Sequence, residues 1–265
     1  MKILFSEHKA DYDNYIFPYA IWAFPEQGEQ PGRLFARGFL PATPNLTRYY
    51  LCRQVRVDLK KFAPSSENRR ILRKGGDITF ELIPREKFEY TKQRRDFYKN
   101  YADIKFGKDI MSFERLDALF ASQIVSHVLL FKNDSTGAEI GLVTLFLQPE
   151  KFAYYYYAFY DLNYYNRNLG MFMMTSTVAH FADQNYDNIY LGSCYSRNAM
   201  YKTQFSGAQF FNGYAWSDNI KELKYLIQRN GESLKKHLLE TDAYLEEFAS
   251  PDVQSLAEKS SFTTL

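Results

Sequence analysis

Tyr154-Tyr155-Tyr156-Tyr157-Ala158-Phe159-Tyr160, then Asp161-Leu162-Asn163, then Arg167-Asn168-Leu169-Gly170 at the head of a long apolar run: this stretch decides the fold. The first seven residues are near-continuously apolar, as a strand buried on both faces must be. The polar turn that follows ends the strand. Leu169 to Asp183 reads as a core-packed helix, Asn188 to Leu191 as a short strand, Ala199 to Phe205 as a short helix and Phe210 to Trp216 as a further strand. Strand, glycine turn, helix, strand, helix, strand gathers both element types around one mixed central sheet, an α+β architecture.

Upstream, Gln123 to Phe131 and Glu139 to Leu147 read as strands joined through Asn133-Asp134-Ser135-Thr136-Gly137. A basic, aromatic helix is expected from Pro84 to Tyr101, and another over 113–121 after Ser112. Pro64-Ser65-Ser66 opens a helix that stops at Gly75-Gly76 and shows Arg69, Arg70, Arg73 and Lys74 on one side. A strand from Asp77 to Ile83 follows it. Residues 1–50 are dotted with proline and glycine and leave room for short strands and turns, with Tyr49 to Val57 as a strand. Downstream, Asp218 or Asn219 caps a helix to about Arg229. Gly231 separates it from a charged helix reaching about Phe248, and the chain is polar from Pro251. The expected division is a small irregular N-terminal subdomain over 1–64, a main domain over 65–250 and a polar tail over 251–265.

The net charge of the 265-residue chain is +2, but it is unevenly spread. Arg53 to Lys108 holds sixteen Lys or Arg against eight Asp or Glu, +8 locally and −6 for the remainder. Such a region suits a phosphate-bearing partner, whose counterions it would release, or it is a set of solvated helix faces. Aromatics make up 18%, enough for a ring-rich core or for a groove that stacks on bases. Two cysteines far apart, Cys52 and Cys194, fit a reducing compartment. With no apolar run of membrane-spanning length and no leader-like N-terminus, the expectation is a cytoplasmic protein with no membrane partner.

His8, His127, His180 and His237 are not spaced with one another or with cysteine as metal ligands, so no metal and no cofactor are expected. No nucleophile motif is present, and Cys194 is as well read as a core thiol. Arg167 to Gly170, at a helix N-terminus after a strand, is an anion-attracting arrangement or a packing turn. Phe172 occupies a position that an acyl-CoA loop would give to a small residue.

Gly38-Phe39, Tyr50, Cys52, Val55-Arg56-Val57, Phe62, Pro64-Ser65 and Asn68-Arg69-Arg70 resemble the N-terminal part of the aminoacyl-tRNA–protein transferases, the arginyl- and bacterial leucyl-transferases. Phe159-Tyr160-Asp161, Arg167, Leu169-Gly170, Tyr190-Leu191-Gly192, Met200, Tyr201-Lys202, Phe205, Gly213 and Trp216 resemble the C-terminal part. The matches keep the family's order over about residues 34–216. This chain departs from the pattern in keeping Cys52 alone of a Cys-x-x-Cys, in having Lys105-Phe106 near the place of an Arg-His pair, and in carrying Gln209 where a glutamate stands.

The resemblance implies a GNAT-like acyltransferase fold working without acetyl-CoA. The donor would be an aminoacyl-tRNA and the acceptor the α-amine of a protein or peptide N-terminus. It implies tRNA phosphates on Arg69, Arg70, Arg73 and Lys74. Tyr160, Asp161, Arg167 and Gly170 would shape the acyl pocket, with Tyr160 and Asp161 nearest the chemistry. Met200, Tyr201 and Lys202 would hold the terminal nucleotide or the acceptor. Two other functions fit the same residues: an acyl-CoA-dependent N-acyltransferase, and a tRNA- or N-terminus-binding module without catalysis.

Overall fold

The computed structural model describes residues 2–7, 19–148, 151–231, 238 and 241–248. Two sheets form. The smaller has the order β1-β2-β4-β3, all antiparallel, from β1 (Lys2–Glu7), β2 (Tyr19–Phe24), β3 (Phe39–Pro41) and β4 (Tyr49–Leu51), with α1 (Pro31–Ala36) between β2 and β3. The larger has eight strands, built from β5 (Gln54–Asp58), β6 (Ile78–Pro84), β7 (His127–Asn133), β8 (Glu139–Gln148), β9 (Phe152–Tyr160), β10 (Asn188–Ser193), β11 (Ala208–Phe211) and β12 (Trp216–Ser217). Their order is β12-β11-β5-β10-β9-β8-β7-β6, and β9–β10 is the one parallel pair among the described strands. The small sheet is complete by Leu51, while β5, which precedes residue 64, lies inside the large sheet.

Helices cover both faces. One face carries α2 (Ser66–Lys74), α5 (Leu169–Asp183), α6 (Ile220–Arg229) and α7 (Asp242–Phe248), packed over Val55, Val57, Tyr155 and Ile189. The other carries α3 (Lys92–Phe106) and α4 (Phe113–Ala121) over Val128, Leu130, Leu142 and Phe159. On that second face the small sheet docks through Phe35, whose ring lies 4.7–5.3 Å from those of Phe152, Tyr154 and Tyr190. Gly38 sits under the Phe211 ring, where a Cβ would come within 2.4 Å. This mixed sheet flanked by helices is the α+β class expected.

Local chemistry explains where the elements begin. Ser65 and Asn68 form a reciprocal cap on α2, each side chain accepting from the other's backbone N–H. The expected helix from Pro84 begins instead at Lys92, because Thr91 supplies the cap, accepting from Arg94 N–H at 3.3 Å. Residues 85–87 form only a 3-10 turn. The expected strand from Phe210 to Trp216 is broken at Asn212, whose side-chain oxygen accepts from the N–H groups of Tyr214 and Ala215 and folds the chain back. Residues 1–50 hold more regular structure than expected, since β1 and β2 are six-residue strands. The expected tail and the first part of the helix after Gly231 lie outside the described residues, and α7 (Asp242–Phe248) is its C-terminal part.

Candidate active site

β10 pairs with β9 only from Asn188–Phe152 to Tyr190–Tyr154. Beyond Tyr190 a register shift lets β10 follow β5, with Gly192 opposite Val55 and Ser193 opposite Gln54. Gly192 has φ +80°, a conformation that favours glycine. The two strands therefore part, and this splay between the C-terminal half of β9 and the end of β10 is the candidate cleft.

The β9 wall is shaped by a bulge. Opposite β8, Leu145 pairs with Tyr155 and Thr144 with Tyr157, so Tyr156 is the extra residue. The Thr144 side chain, 0% exposed, closes the gap: its hydroxyl accepts from Tyr157 N–H at 3.0 Å and donates to Tyr157 C=O at 3.3 Å. One hydroxyl can do both.

Three tyrosines gather at this wall and a fourth faces them. The Tyr101 and Tyr160 rings are 4.8 Å apart, and Tyr155 and, from the opposite side, Tyr201 lie within electrostatic reach. Burial first, then these neighbours, push the Tyr101 and Tyr155 hydroxyls well above their ordinary value, so both are protonated donors at neutral pH. A Cβ on Gly170 would come within 2.9 Å of the Tyr160 ring and hydroxyl. The room left by the missing side chain is thus taken by Tyr160.

The facing wall is the 3-10 turn Arg197–Thr203. Its Lys202 amine turns inward and donates to Ser193 C=O at 2.7 Å. Burial lowers the amine's pKa. Both cysteines are buried, and burial pushes their thiols up, so neither is a thiolate at neutral pH. Met200 is half-buried against the core, and Tyr201 is 46% exposed at the mouth.

The remaining expected residues have structural partners. Asp161 accepts from Asn163 N–H at 2.9 Å and caps the 3-10 turn Leu162–Arg167. Arg167 forks onto Asp77, with one contact at 2.9 Å, and reaches Lys74 C=O at 2.9 Å. That hydrogen bond holds the Asp77 carboxyl below its usual range and ties the start of α5 to the end of α2. Arg70 pairs with Glu67 and Arg69 donates to Pro64 C=O, while Arg73 and Lys74 project into solvent. On α3 much of the positive charge is matched locally, Arg94 by Glu139, Arg95 by Asp117 and Lys99 by Asp103. Gln209, at the position of the family's glutamate, accepts from Arg56 at 2.9 Å, and that guanidinium lies 4.0 Å from the Trp216 ring.

Tyr160 and Gly170 thus meet at one side, and Tyr201 and Lys202 share the facing turn, whereas the α2 cations stand apart from both. Nothing in the sequence marks Tyr101, Tyr155, Thr144 or Ser193 as site residues. A separate cleft of about 470 Å³ lies between α3 and the β7–β8 hairpin, lined by Phe97, Tyr98, Leu130 and the Arg94–Glu139 pair. Its one cation is already matched by a carboxylate. Among the described residues no group of three or more His, Cys, Asp or Glu is placed to hold a metal. No described helix is long and apolar enough to cross a membrane.

No protein-family profile matches the chain. The chain is 22% identical over 205 residues to an aspartate/glutamate leucyltransferase of Ruegeria pomeroyi, covering 75% of this chain and 71% of that protein. It is 24% identical over 180 residues to an aspartate/glutamate leucyltransferase of Pseudomonas entomophila, covering 65% and 74%. These two relatives bear out the resemblance to aminoacyl-tRNA–protein transferases. Among solved structures, L-PGS from Bacillus licheniformis is similar with a TM-score of 0.44 and 11% identity, over 69% of this chain and 66% of that one.

Proposed function

We propose that this protein is an aminoacyltransferase that moves an amino acid from a charged tRNA to the α-amine of a protein or peptide. What carries the reading is the splay between β9 and β10, with the Tyr101–Tyr160 ring pair beside β9 and the inward-turned Lys202 amine, bonded to Ser193 C=O, at the end of β10. The two relatives, named as leucyltransferases acting on aspartate or glutamate, support it and make leucine the first donor to try and an acidic N-terminus the first acceptor.

The chemistry matches what the cleft offers. The acceptor nitrogen attacks the ester carbonyl, a C–N bond forms, the bond to the ribose oxygen breaks, and the proton lost from the amine is balanced by the one gained by that oxygen. An activated ester needs positioning more than a covalent intermediate. Tyr160 and the neighbouring hydroxyls are fixed donors for the carbonyl oxygen as it gains charge. Lys202 has N–H groups left after its bond to Ser193 C=O, and with Tyr201 it holds the terminal nucleotide or the acceptor, above Met200 on the same turn. Asp161 ends the same strand as Tyr160; one of its oxygens caps the next turn, and the other is our candidate for receiving the amine proton. Arg167 and Gly170 act by holding this geometry, through Asp77 and Tyr160 respectively. Arg69, Arg70, Arg73 and Lys74 face the tRNA backbone.

An acyl-CoA donor is less well served. The ring of Tyr160 covers Gly170, and the Arg167 charge is spent on Asp77. The test is transfer of labelled leucine from its tRNA to peptides beginning with Asp, Glu or other residues. The reading expects label on a peptide with wild-type protein and at least a tenfold lower rate with Lys202→Ala at limiting tRNA. Equal rates would remove Lys202 from the site.

A further inference from the structure

Six large apolar or aromatic side chains are exposed among the described residues, and five of them are Ile104, Phe106, Ile110, Tyr165 and Tyr201. Phe106, Tyr165 and Tyr201 are linked to the tyrosines of the cleft or to one another through their neighbours. The Phe106 ring lies 6.0 Å from Tyr101, which touches Tyr160 at 4.8 Å, and 6.3 Å from Tyr157 on β9. The Lys105 amine lies 4.8 Å over the ring of Tyr165, which is 63% exposed. Tyr201 is in electrostatic reach of Tyr101.

An apolar rim of this kind marks a contact surface, and its charges narrow what it contacts. Lys99 takes up Asp103 and Asp109, so the acids of this segment are matched. Among the described residues Lys105 and Lys108 enter no ion pair, and the Arg115 guanidinium donates to Ile110 C=O rather than to a carboxylate. Exposed rings interleaved with unmatched cations stack on bases and neutralise phosphates. A second copy of this chain would bring the same cations against themselves.

We propose that the rim formed by Lys105, Phe106 and Tyr165 holds the unpaired 3′ nucleotides of the donor RNA, the rings against bases and the lysine against a phosphate. This rests on the function proposed above and deepens it. The rim feeds the terminal nucleotide toward Tyr160 and Tyr201, while the α2 cations grip the paired stem.

The test is binding of two RNAs at one fixed salt concentration: an uncharged leucine tRNA, and the same tRNA trimmed of its unpaired 3′ nucleotides. Wild-type protein should bind the intact RNA about tenfold more tightly than the trimmed one, in line with stacking of a base or two. Phe106→Ala/Tyr165→Ala should lose that difference yet bind the trimmed RNA as wild type does, with an unchanged melting temperature as the control for folding. A wild-type protein that does not distinguish the RNAs, or a double variant that keeps the difference, overturns the proposal while leaving transfer activity to speak for the function. Binding of neither RNA overturns both. Concentration-dependent self-association abolished by Phe106→Ala would assign the rim to a second copy and overturn the proposal.

Discussion

At Gly170 the lack of a side chain is explained by its neighbour: Tyr160 fills the space, and a methyl group would meet its ring at 2.9 Å. Gly170→Ala should therefore destabilise the fold by about 1–3 kcal/mol, the usual cost of overpacking, and slow transfer by displacing the Tyr160 hydroxyl. Tyr160→Ala in the same chain should recover most of the stability but not the activity, a coupling that a double-mutant cycle in urea would read. Lys202 gives a pH-dependent prediction. Burial holds its ammonium below the ordinary lysine value of 10.5. Between the depressed folded value and 10.5 the unfolded chain binds more protons than the folded one, so wild-type stability rises with pH across that window. Lys202→Met, which cannot titrate, should lack this rise. Its stability relative to wild type should be most favourable below the window and fall as pH climbs towards 10.5. A flat difference up to 10.5 would mean that burial does not lower the amine's pKa.

The strand β9 shows what the sequence could and could not tell. Its burial on both faces is legible in the apolar run, as is α2 in Ser65, Asn68 and Gly75. The bulge at Tyr156 is not. In four consecutive tyrosines no alternation marks which residue is extra, and the side chain that fixes the slip, Thr144, sits on another strand. For the same reason Tyr155 and Tyr101 could not be assigned to the site: one looks like any strand residue, and the other is brought over by a helix. Thr144→Val should cost about 1–3 kcal/mol, since Tyr157 is left without its side-chain partner in a buried place. It should lower kcat more than it raises KM if, as proposed, the ester lies against the wall that the bulge sets. Thr144→Ser keeps the hydroxyl and should retain most of both. Equal activity of Val and Ser variants would separate the bulge from the chemistry.

Across the whole molecule the charge count proved the least literal of the sequence signals. The local excess of +8 is real, but Arg94 and Arg95 on α3 are paired with Glu139 and Asp117 from outside that stretch, whereas Arg73 and Lys74 on α2 and Lys105 at the rim enter no ion pair among the described residues. Sequence counting cannot see pairing between residues 22 or 45 positions apart, as in Arg95–Asp117 and Arg94–Glu139. Arg73→Ala/Lys74→Ala should weaken tRNA binding and reduce the slope of log affinity against log salt by about 2, roughly one for each phosphate that is no longer neutralised. Arg95→Ala should leave that slope unchanged. The central claim, that the cleft takes its acyl group from tRNA, is tested most directly by offering the purified protein a mixture of peptide N-termini with either tRNA charged with labelled amino acids or labelled acetyl-CoA. The account predicts label on peptide from the charged tRNA and none from acetyl-CoA. Label from acetyl-CoA alone would contradict it.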